Sequence, residues 1–274
     1  MKKVLALVLA ILMLASFAVA CGTTEEVKGD AKTTTAGATT AGSTTAAPEG
    51  ESKPVLKMGT NAYFQPYEYY ENGKIIGIDA EIAAAIAEYL GMELVIEDME
   101  FDTIITAVKQ GSVDFGMAGM TVTDERLLEI NFTNSYATGV QSIIVKEGSS
   151  ITSVDDLYAE GASYKVGVQL GTTGDIYATD DFGADNVVQY NNGNNAVLAL
   201  VGGSVDCVII DNEPAKALVA ANSGLKILDT SYADEDYAIC VKKENTELLE
   251  QLNEAIVALT ANGKIDEIVA KYIK

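Results

Sequence analysis

A short sequence pattern occurs twice in the chain. Residues 111–117 read GSVDFGM and residues 203–209 read GSVDCVI, and each copy follows an apolar stretch with helical spacing. Strand-like and helix-like segments alternate from residue 55 onward, which is typical of an α/β domain with a mainly parallel sheet. Two similar βαβ units within one sheet would also explain the pattern. The length of 274 residues favours a different interpretation, in which two similar α/β lobes each carry one copy.

The predicted lobes are assembled from separate parts of the chain. Residues 54–137 form the first lobe, residues 141–236 form the second, and residues 240–274 return to the first. The segments 136–141 and 236–240 would then act as a two-segment hinge. Apolar spacing predicts a helix over 79–90, a helix over about 102–110 followed by a strand at 113–117, and one C-terminal helix over 248–272.

The N-terminus has the pattern of an export signal. Residues 1–20 combine two lysines, an apolar run over residues 4–15 and small residues before Cys21. Small residues directly before a cysteine resemble a bacterial lipobox, which implies that Cys21 is lipidated and anchors the chain to the outside of the cell membrane. An ordinary signal peptide followed by a chance cysteine is the alternative. Residues 21–53 are rich in Thr, Ala and Gly and lack aromatic residues, which predicts a disordered tether.

The composition excludes several kinds of chemistry. The chain has no histidine, so a Ser-His-Asp triad and a histidine-ligated metal site are impossible. Its formal net charge of −22 argues against a nucleic-acid partner, because phosphate binding needs a basic surface. Acidic pairs such as Asp180-Asp181 lack the spacing of a calcium loop, and we expect neither a metal nor a cofactor. Cys207 and Cys240 could form a disulfide in an exported protein, but both lie in apolar strands, which favours two buried free thiols.

Two polar features follow the ends of predicted strands, where ligands bind in open α/β sheets. Arg126 is the only arginine in the chain and lies in the first turn of a helix capped by Thr123. Its planar guanidinium is suited to a carboxylate or phosphate, and a surface salt bridge is the alternative. Residues 171–175 (GTTGD) form a glycine-rich turn that opens a helix and offers free N–H groups to an anion. No Gly-Lys-Ser/Thr sequence follows, which excludes a Walker loop.

A carboxylate and a group of aromatic residues also follow predicted strands. Asp211 ends a strand and is suited either to an ammonium group or to capping a helix. Five aromatic residues lie just beyond the first strand, of which one or two could stack on a ligand while the rest pack: Tyr63, Phe64, Tyr67, Tyr69 and Tyr70. The predicted site is complementary to a zwitterion. An arginine and two helix N-termini suit its negative group, and the aspartate opposite them suits its positive group. An α-amino acid has that charge pattern.

Further motifs resemble a known family. Residues 77–82 (GIDAEI), followed by Ile86, Ala87 and Leu90, resemble the signature of the family 3 extracellular solute-binding proteins. Residues 121–126 (TVTDER) and 131–136 (NFTNSY) are similar to other parts of that family. Ala80 departs from the signature, where a larger aliphatic residue or threonine is usual. The resemblance implies a two-lobed type II periplasmic-binding-protein fold and a function as the polar amino-acid receptor of an ABC importer.

The resemblance also implies which residues bind the ligand. They are Asn61, Phe64, Phe101, Gly119, Thr121, Arg126, Thr173 and Asp211. Arg126 and the N–H groups of Thr121 and Thr173 would hold the ligand α-carboxylate. Asp211, the Gly119 carbonyl and the Thr121 hydroxyl would hold the α-ammonium.

The remaining implied residues face the ligand side chain. Phe64 and Phe101 would cover that side chain from two faces. Asn61 stands where several relatives carry an aspartate, which favours a neutral polar ligand such as glutamine over a cationic one. Gln141 and Gln169 are further candidates for the cleft.

The implied mechanism is binding without catalysis. A monomer would capture a free amino acid, close its lobes around it and dock on an ABC permease. One alternative is an exported cyclohexadienyl dehydratase on the same fold, in which a cleft carboxylate such as Glu100 would act as general acid. The other is a lipoprotein that uses the fold for sensing or adhesion, without a permease.

Overall fold

The structure, a computed structural model, describes residues 52–274. The predicted signal peptide, Cys21 and most of the predicted tether lie outside the described residues. The first elements are β1 (Val55–Thr60), β2 (Tyr63–Phe64), β3 (Glu68–Glu71), β4 (Lys74–Ile76), α1 (Ile78–Tyr89), β5 (Glu93–Asp98), α2 (Ile104–Gln110), β6 (Phe115–Gly116), α3 (Asp124–Glu129) and β7 (Ile130–Phe132). The chain continues with β8 (Ala137–Lys146), β9 (Val166–Gln169), α4 (Thr173–Phe182), β10 (Val187–Tyr190), α5 (Gly193–Gly202), β11 (Cys207–Asp211), α6 (Asn212–Ala221), β12 (Leu225–Ile227) and β13 (Ala233–Tyr237). It ends with β14 (Cys240–Lys242), α7 (Thr246–Ala261) and α8 (Lys264–Tyr272).

Two sheets form the centres of two lobes. The sheet of the first lobe has the order β5-β1-β6-β14-β7, with β1 parallel to β5 and β6, and β14 antiparallel to β6 and β7. The sheet of the second lobe has the order β10-β9-β11-β8-β12, and β13 also pairs with β8. A small antiparallel sheet of β2, β3 and β4 is added to the first lobe. The predicted two-lobed α/β fold is therefore confirmed.

The repeated sequence pattern has the same structural role in both lobes. The first glycine of each copy has a positive φ, 74° in one and 80° in the other, and ends α2 or α5. The aspartate of each copy accepts a hydrogen bond from a backbone N–H in the neighbouring strand or directly before it. Asp114 accepts from Lys57 at 2.7 Å and Asp206 accepts from Lys165 at 2.7 Å. The pattern thus joins a helix end to the next strand once in each lobe.

Two chain segments cross between the lobes side by side. Ala137 at the start of β8 is paired with Tyr237 at the end of β13. The backbone N–H of Tyr136 donates to the carbonyl of Tyr237 at 3.0 Å, and that of Thr133 donates to the carbonyl of Ile239 at 3.0 Å. The crossing is short, and its two segments are hydrogen-bonded to each other.

Two predicted elements differ from the observed ones. The single C-terminal helix over 248–272 is wrong, because the chain turns at Gly263, which has a φ of 77°. The turn lets α7 and α8 both pack against α1, whose Ile78, Ile82 and Ile86 are fully buried. The strand predicted over 113–117 is limited to Phe115–Gly116.

Among the helices of residues 52–274, none has both the length and the apolar character that a membrane span needs.

Cys207 and Cys240 are free thiols, both fully buried. They lie in the sheets of different lobes, in β11 and β14. Burial raises the pKa of each thiol to about 12. The prediction of two buried free thiols is confirmed.

Candidate functional site

A narrow cavity with a volume of about 10 Å³ lies between the two lobes. All eight residues that the sequence predicts at the ligand line it, together with four others: Asn61, Phe64, Glu68, Phe101, Ala118, Gly119, Thr121, Arg126, Gln169, Thr172, Thr173 and Asp211. Most of these residues follow the carboxyl ends of strands, as expected for an α/β sheet. Gln169 was also a candidate for the cleft, and Gln141 lies just behind the cavity wall. The structure therefore brings the predicted residues together at one place.

Arg126 is buried and bridges the lobes. It lies in the first turn of α3, where the Thr123 hydroxyl caps the helix by accepting from the Arg126 N–H at 3.2 Å. The guanidinium donates to the carbonyl of Thr121 at 2.7 Å and to the carbonyl of Gly171 in the second lobe at 3.0 Å. It also lies 5.5 Å from the centre of the Phe101 ring, within cation–π range. The alternative of a surface salt bridge is wrong, because this side chain is only 7% exposed.

The glycine-rich turn after β9 faces Arg126 across the cavity. Thr172 caps α4 by accepting from the N–H of Asp175 at 3.2 Å, and Thr173 is the first residue of the helix. The first N–H groups of a helix have no acceptor within it, so they are available to an anion. The Thr173 hydroxyl lies 3.5 Å from the hydroxyl of Thr121 in the first lobe. The turn and the arginine therefore surround the same small space.

Asp211 lies at the other side of the cavity, where β11 ends and α6 begins. Its carboxylate accepts from the side-chain amide of Gln141 at 2.8 Å and from the hydroxyl of Tyr237. It makes no side-chain hydrogen bond to the N–H groups of α6, so it is not a helix cap in the usual sense. Burial raises the pKa of Asp211 to about 7, with the nearby carboxylate of Glu235 as the next cause. A buried carboxyl group at this position is suited to a cation.

Glu68 is a buried acid in the cavity wall that the sequence reasoning missed. It begins β3 and is fully buried, and neither of its oxygens has a hydrogen-bond donor among residues 52–274. Burial raises its pKa well above the ordinary range, and the adjacent Asp79 raises it further. In the sequence, the sign of this buried acid is a glutamate inside the aromatic run of residues 63–70. The aromatic pattern of that run predicts only stacking or packing.

Asp79 connects this acid to the rest of the site. Its Oδ2 accepts from the backbone N–H of Gly119 at 2.9 Å and from the hydroxyl of Tyr136 at 2.8 Å. The Asp79 carboxyl therefore fixes the cavity loop at Gly119 and the crossing segment at Tyr136. Burial raises the pKa of Asp79 to about 6, although these two hydrogen bonds lower it.

The aromatic residues divide between the cavity and the surface. Phe64 lines the cavity and stacks on Tyr67, with ring centres 5.8 Å apart. Phe64 also lies against Gly119, where a Cβ atom would be 2.6 Å from its ring. Tyr63 and Tyr70 are 47% and 48% exposed and contact each other at the surface, so the expectation that they pack inside is wrong.

Two amides join the lobes beside the cavity. The Asn61 amide donates to the carbonyl of Met99 at 2.8 Å, and its oxygen accepts from the Gln169 amide at 3.0 Å. Asn61 is therefore held by protein groups on both sides.

Glu100, the candidate general acid of the alternative enzyme, is exposed outside the cavity and accepts from Asn191 at 3.2 Å. In the part of the chain that the structure describes, no group of three or more acidic or cysteine side chains could hold a metal ion.

The sequence matches one family model over almost the whole described region. This model, of the bacterial extracellular solute-binding proteins, family 3, covers residues 56–274. The L-arginine-binding protein of Pseudomonas aeruginosa is 33% identical over 231 residues, which cover 80% of this chain and 88% of that protein. The ABC transporter glutamine-binding protein of Bacillus subtilis is 30% identical over 280 residues, covering 100% of this chain and 98% of that protein.

The fold matches solved structures of similar proteins. An ancestral arginine-binding protein bound to arginine superimposes with a TM-score of 0.75 and is 38% identical. The match covers 81% of this chain and 99% of the ancestral one. Sequence and structure therefore lead to the same group of proteins.

Proposed function

The chain belongs to family 3 of the bacterial extracellular solute-binding proteins, the amino-acid-binding components of ABC transporters, and from this premise we propose that its ligand is a cationic amino acid such as arginine. One observation carries the proposal. Glu68, a fully buried acid without a hydrogen-bond donor in residues 52–274, lines the same cavity as Arg126 and Asp211. The site therefore offers a second carboxyl group, whose ionised form a cationic side chain would stabilise, in addition to the one that an α-ammonium needs.

The α-carboxylate binds at Arg126 in this proposal. The guanidinium and the N–H groups of Thr121 and Thr173 provide charged and neutral donors from both lobes. Charge-assisted, bidentate contacts of this kind are among the strongest hydrogen bonds in proteins. To accept the ligand, the guanidinium exchanges its bond to the Gly171 carbonyl for bonds to the carboxylate.

The α-ammonium binds at Asp211 in this proposal, with the Gly119 carbonyl and the Thr121 hydroxyl as further acceptors. Asp211 is kept in position by Gln141 and Tyr237, whose donors occupy one oxygen each. The ammonium then adds a full positive charge to a buried carboxyl group whose charged form is otherwise unfavourable.

The ligand side chain lies between Phe64 and Phe101 and ends at Glu68. A guanidinium is planar, stacks on aromatic rings and donates two parallel bonds to a carboxylate, so both the rings and Glu68 are complementary to it. Asn61 favours a neutral ligand instead, but its amide is already bonded to Met99 and Gln169. Glutamine, the ligand named for the Bacillus subtilis relative, is therefore the second candidate.

Transport requires the lobes to separate and close. The cavity lies between the lobes, so the ligand enters when the lobes rotate apart at the crossing near Ala137 and Tyr237. We propose residues 54–137 plus 240–274 and residues 141–236 as the moving bodies. The ligand stabilises the closed form by contacting both, and the closed form docks on an ABC permease. The protein acts by binding, without catalysis, and works as a monomer.

The N-terminal residues determine where this binding takes place. We propose that residues 1–20 are removed as a signal peptide, that Cys21 is lipidated, and that residues 21–53 tether the lobes to the outer face of the cell membrane. Radiolabelled palmitate incorporation that is lost in Cys21→Ser would support the anchor. Incorporation that persists in this variant would overturn it.

A binding screen tests the ligand. The chain without residues 1–20 and with Cys21→Ser is unfolded and refolded to remove bound ligand, and thermal shifts are measured with the twenty amino acids. Ligand at 100 times Kd adds about 2.7 kcal/mol of stability. We expect arginine to give the largest shift and calorimetry to give a micromolar or tighter Kd. A response to glutamine alone would favour the second candidate, and no response to any amino acid would overturn the proposal.

A further inference from the structure

Glu235 is a further buried acid next to the cavity. It lies in the middle of β13, and the pairing of β13 with β8 turns its side chain inward, leaving it 6% exposed. Its Oε2 accepts from the Thr121 hydroxyl at 3.0 Å and from the Gln141 amide at 3.0 Å. Its Oε1 has no hydrogen-bond donor among residues 52–274. Glu235 thus contacts the first lobe, the hinge strand β8 and the interior of the site at once.

Glu235 and Asp211 converge on a single amide nitrogen. The Nε2 atom of Gln141 is 3.0 Å from an oxygen of Glu235 and 2.8 Å from an oxygen of Asp211. Two negative carboxylates held this close in a buried site repel each other, and the usual solution is that the pair shares one proton. The pKa of Asp211, raised to about 7 by burial and then by Glu235, agrees with this arrangement.

The surrounding charges do not neutralise the pair by direct contact. Arg126 is the nearby cation, but its hydrogen bonds go to the carbonyls of Thr121 and Gly171. The other titratable groups that face the pair are phenols or acids: Tyr177 on α4, Tyr237 at the end of β13, Tyr67 before β3 and Glu68 on β3. A further positive charge is therefore needed before both carboxyl groups can be ionised together.

We propose that Glu235 is a positioning residue for the ammonium site: it keeps one proton on the Asp211–Glu235 pair, and binding of the ligand α-ammonium expels that proton to solvent. This inference rests on the proposed function, because it requires an amino acid whose ammonium group binds at Asp211. The balance is simple, since the ligand keeps its three ammonium protons and the protein loses one. Binding is then linked to pH at a site that contains no histidine.

Calorimetry at several pH values measures the expelled proton. Arginine and glutamine are titrated in buffers with different ionisation enthalpies, so that the slope of the observed enthalpy gives the number of protons released. With the pKa of Asp211 near 7, binding of glutamine should release about 0.9 proton at pH 6 and less than about 0.1 at pH 8.5, whereas arginine also ionises Glu68 and should release more. The same linkage makes Kd about 10-fold weaker at pH 6 than at pH 8.

Two variants separate Glu235 from other sources of pH dependence. Glu235→Gln keeps an acceptor for Thr121 and removes the second acid, so the Kd ratio between pH 6 and pH 8 should fall below the wild-type value of about 10-fold, to the part that burial of Asp211 alone maintains. Asp234→Asn removes an exposed acid from the same strand and should leave the ratio unchanged. A disturbed fold would weaken binding equally at both pH values and would not flatten the profile.

Three results would overturn the inference. In the first, Glu235→Gln binds and keeps the wild-type pH ratio and proton release. In the second, the ratio disappears in Glu68→Gln instead, which would place the proton on the pair formed by Glu68 and Asp79. In the third, neither amino acid binds the wild-type protein at either pH, and the proposed function would fall as well.

Discussion

The guanidinium of Arg126 in the first lobe donates a hydrogen bond to the backbone carbonyl of Gly171 in the second lobe, at 3.0 Å. The same side chain donates to Thr121 of its own lobe, so it connects the two halves of the site. Because both acceptors are carbonyl oxygens, an incoming carboxylate offers the guanidinium a stronger, charged replacement. Arg126 can therefore serve both lobe closure and ligand capture.

Replacing Arg126 with lysine should strongly weaken binding. Lysine keeps the positive charge, but it lacks the planar fork that reaches two acceptors at once. Losing one of two hydrogen bonds to a charged group costs about 1.5–3 kcal/mol, which corresponds to a Kd at least about 10-fold weaker for arginine. Calorimetry gives the affinity, and the melting temperature without ligand shows whether the variant is folded. Unchanged affinity in a folded Arg126→Lys variant would place the ligand carboxylate elsewhere.

Replacing Glu68 with glutamine should change the ligand preference. A neutral amide cannot balance the guanidinium of arginine, so the Kd for arginine should rise about 30-fold or more, while glutamine binding stays within a few fold. Glu71→Gln is the matched control, because Glu71 is an exposed acid on the same strand. Equal losses for arginine and glutamine would mean that Glu68 has no role in distinguishing their side chains.

The sequence located most of the cavity because its residues follow the ends of strands. Asp211 ends an apolar strand and Arg126 lies in the helix that follows another, and the carboxyl ends of parallel strands meet at one edge of a sheet. The residues that resemblance added, such as Asn61 and Phe101, also line the cavity. Local pattern and family resemblance together were enough to predict eight of the residues that line the cavity.

The two buried acids could not be found in this way. Glu235 lies in the acidic run 233–236 (ADED), which has the composition of a surface loop, and only the register of β13 on β8 turns it inward. Glu68 lies in a short strand between tyrosines, and it is buried next to Asp79 of α1. Burial of a charged residue is decided by contacts between distant parts of the chain, so local sequence does not report it.

The buried acids should make the protein less stable as pH rises. Glu68, Asp79 and Asp211 have raised pKa values in the folded state, with Asp79 at about 6 and Asp211 at about 7. Between the unfolded and the folded pKa, only the unfolded chain has lost the proton, so the free energy of unfolding falls as pH increases. Each group contributes about 1.4 kcal/mol for every unit by which its pKa is raised.

Urea denaturation at pH 5 and pH 8, without ligand, measures this loss. We expect a lower free energy of unfolding at pH 8, by a few kcal/mol, and a smaller difference in Glu68→Gln. Saturating arginine should reduce the difference, because its two positive groups favour the ionised acids. Equal stability at the two pH values would show that these carboxyl groups titrate normally in the folded protein.

Gly77 should tolerate substitution far less than Gly73, although both have positive φ angles of 125° and 76°. A Cβ atom on Gly77 would lie 2.2 Å from the carbonyl oxygen of Tyr67, whereas one on Gly73 would meet nothing within 4 Å. That carbonyl accepts from the N–H of Asp79 at 2.9 Å and so connects the loop before Glu68 to the start of α1.

Gly73→Ala should cost about 1 kcal/mol of unfolding free energy, from the left-handed backbone alone. Gly77→Ala should cost about 3 kcal/mol or more and also weaken arginine binding, because the Tyr67 carbonyl must move and carry Glu68 with it. Similar losses in the two variants, measured by urea denaturation, would contradict this role of Gly77.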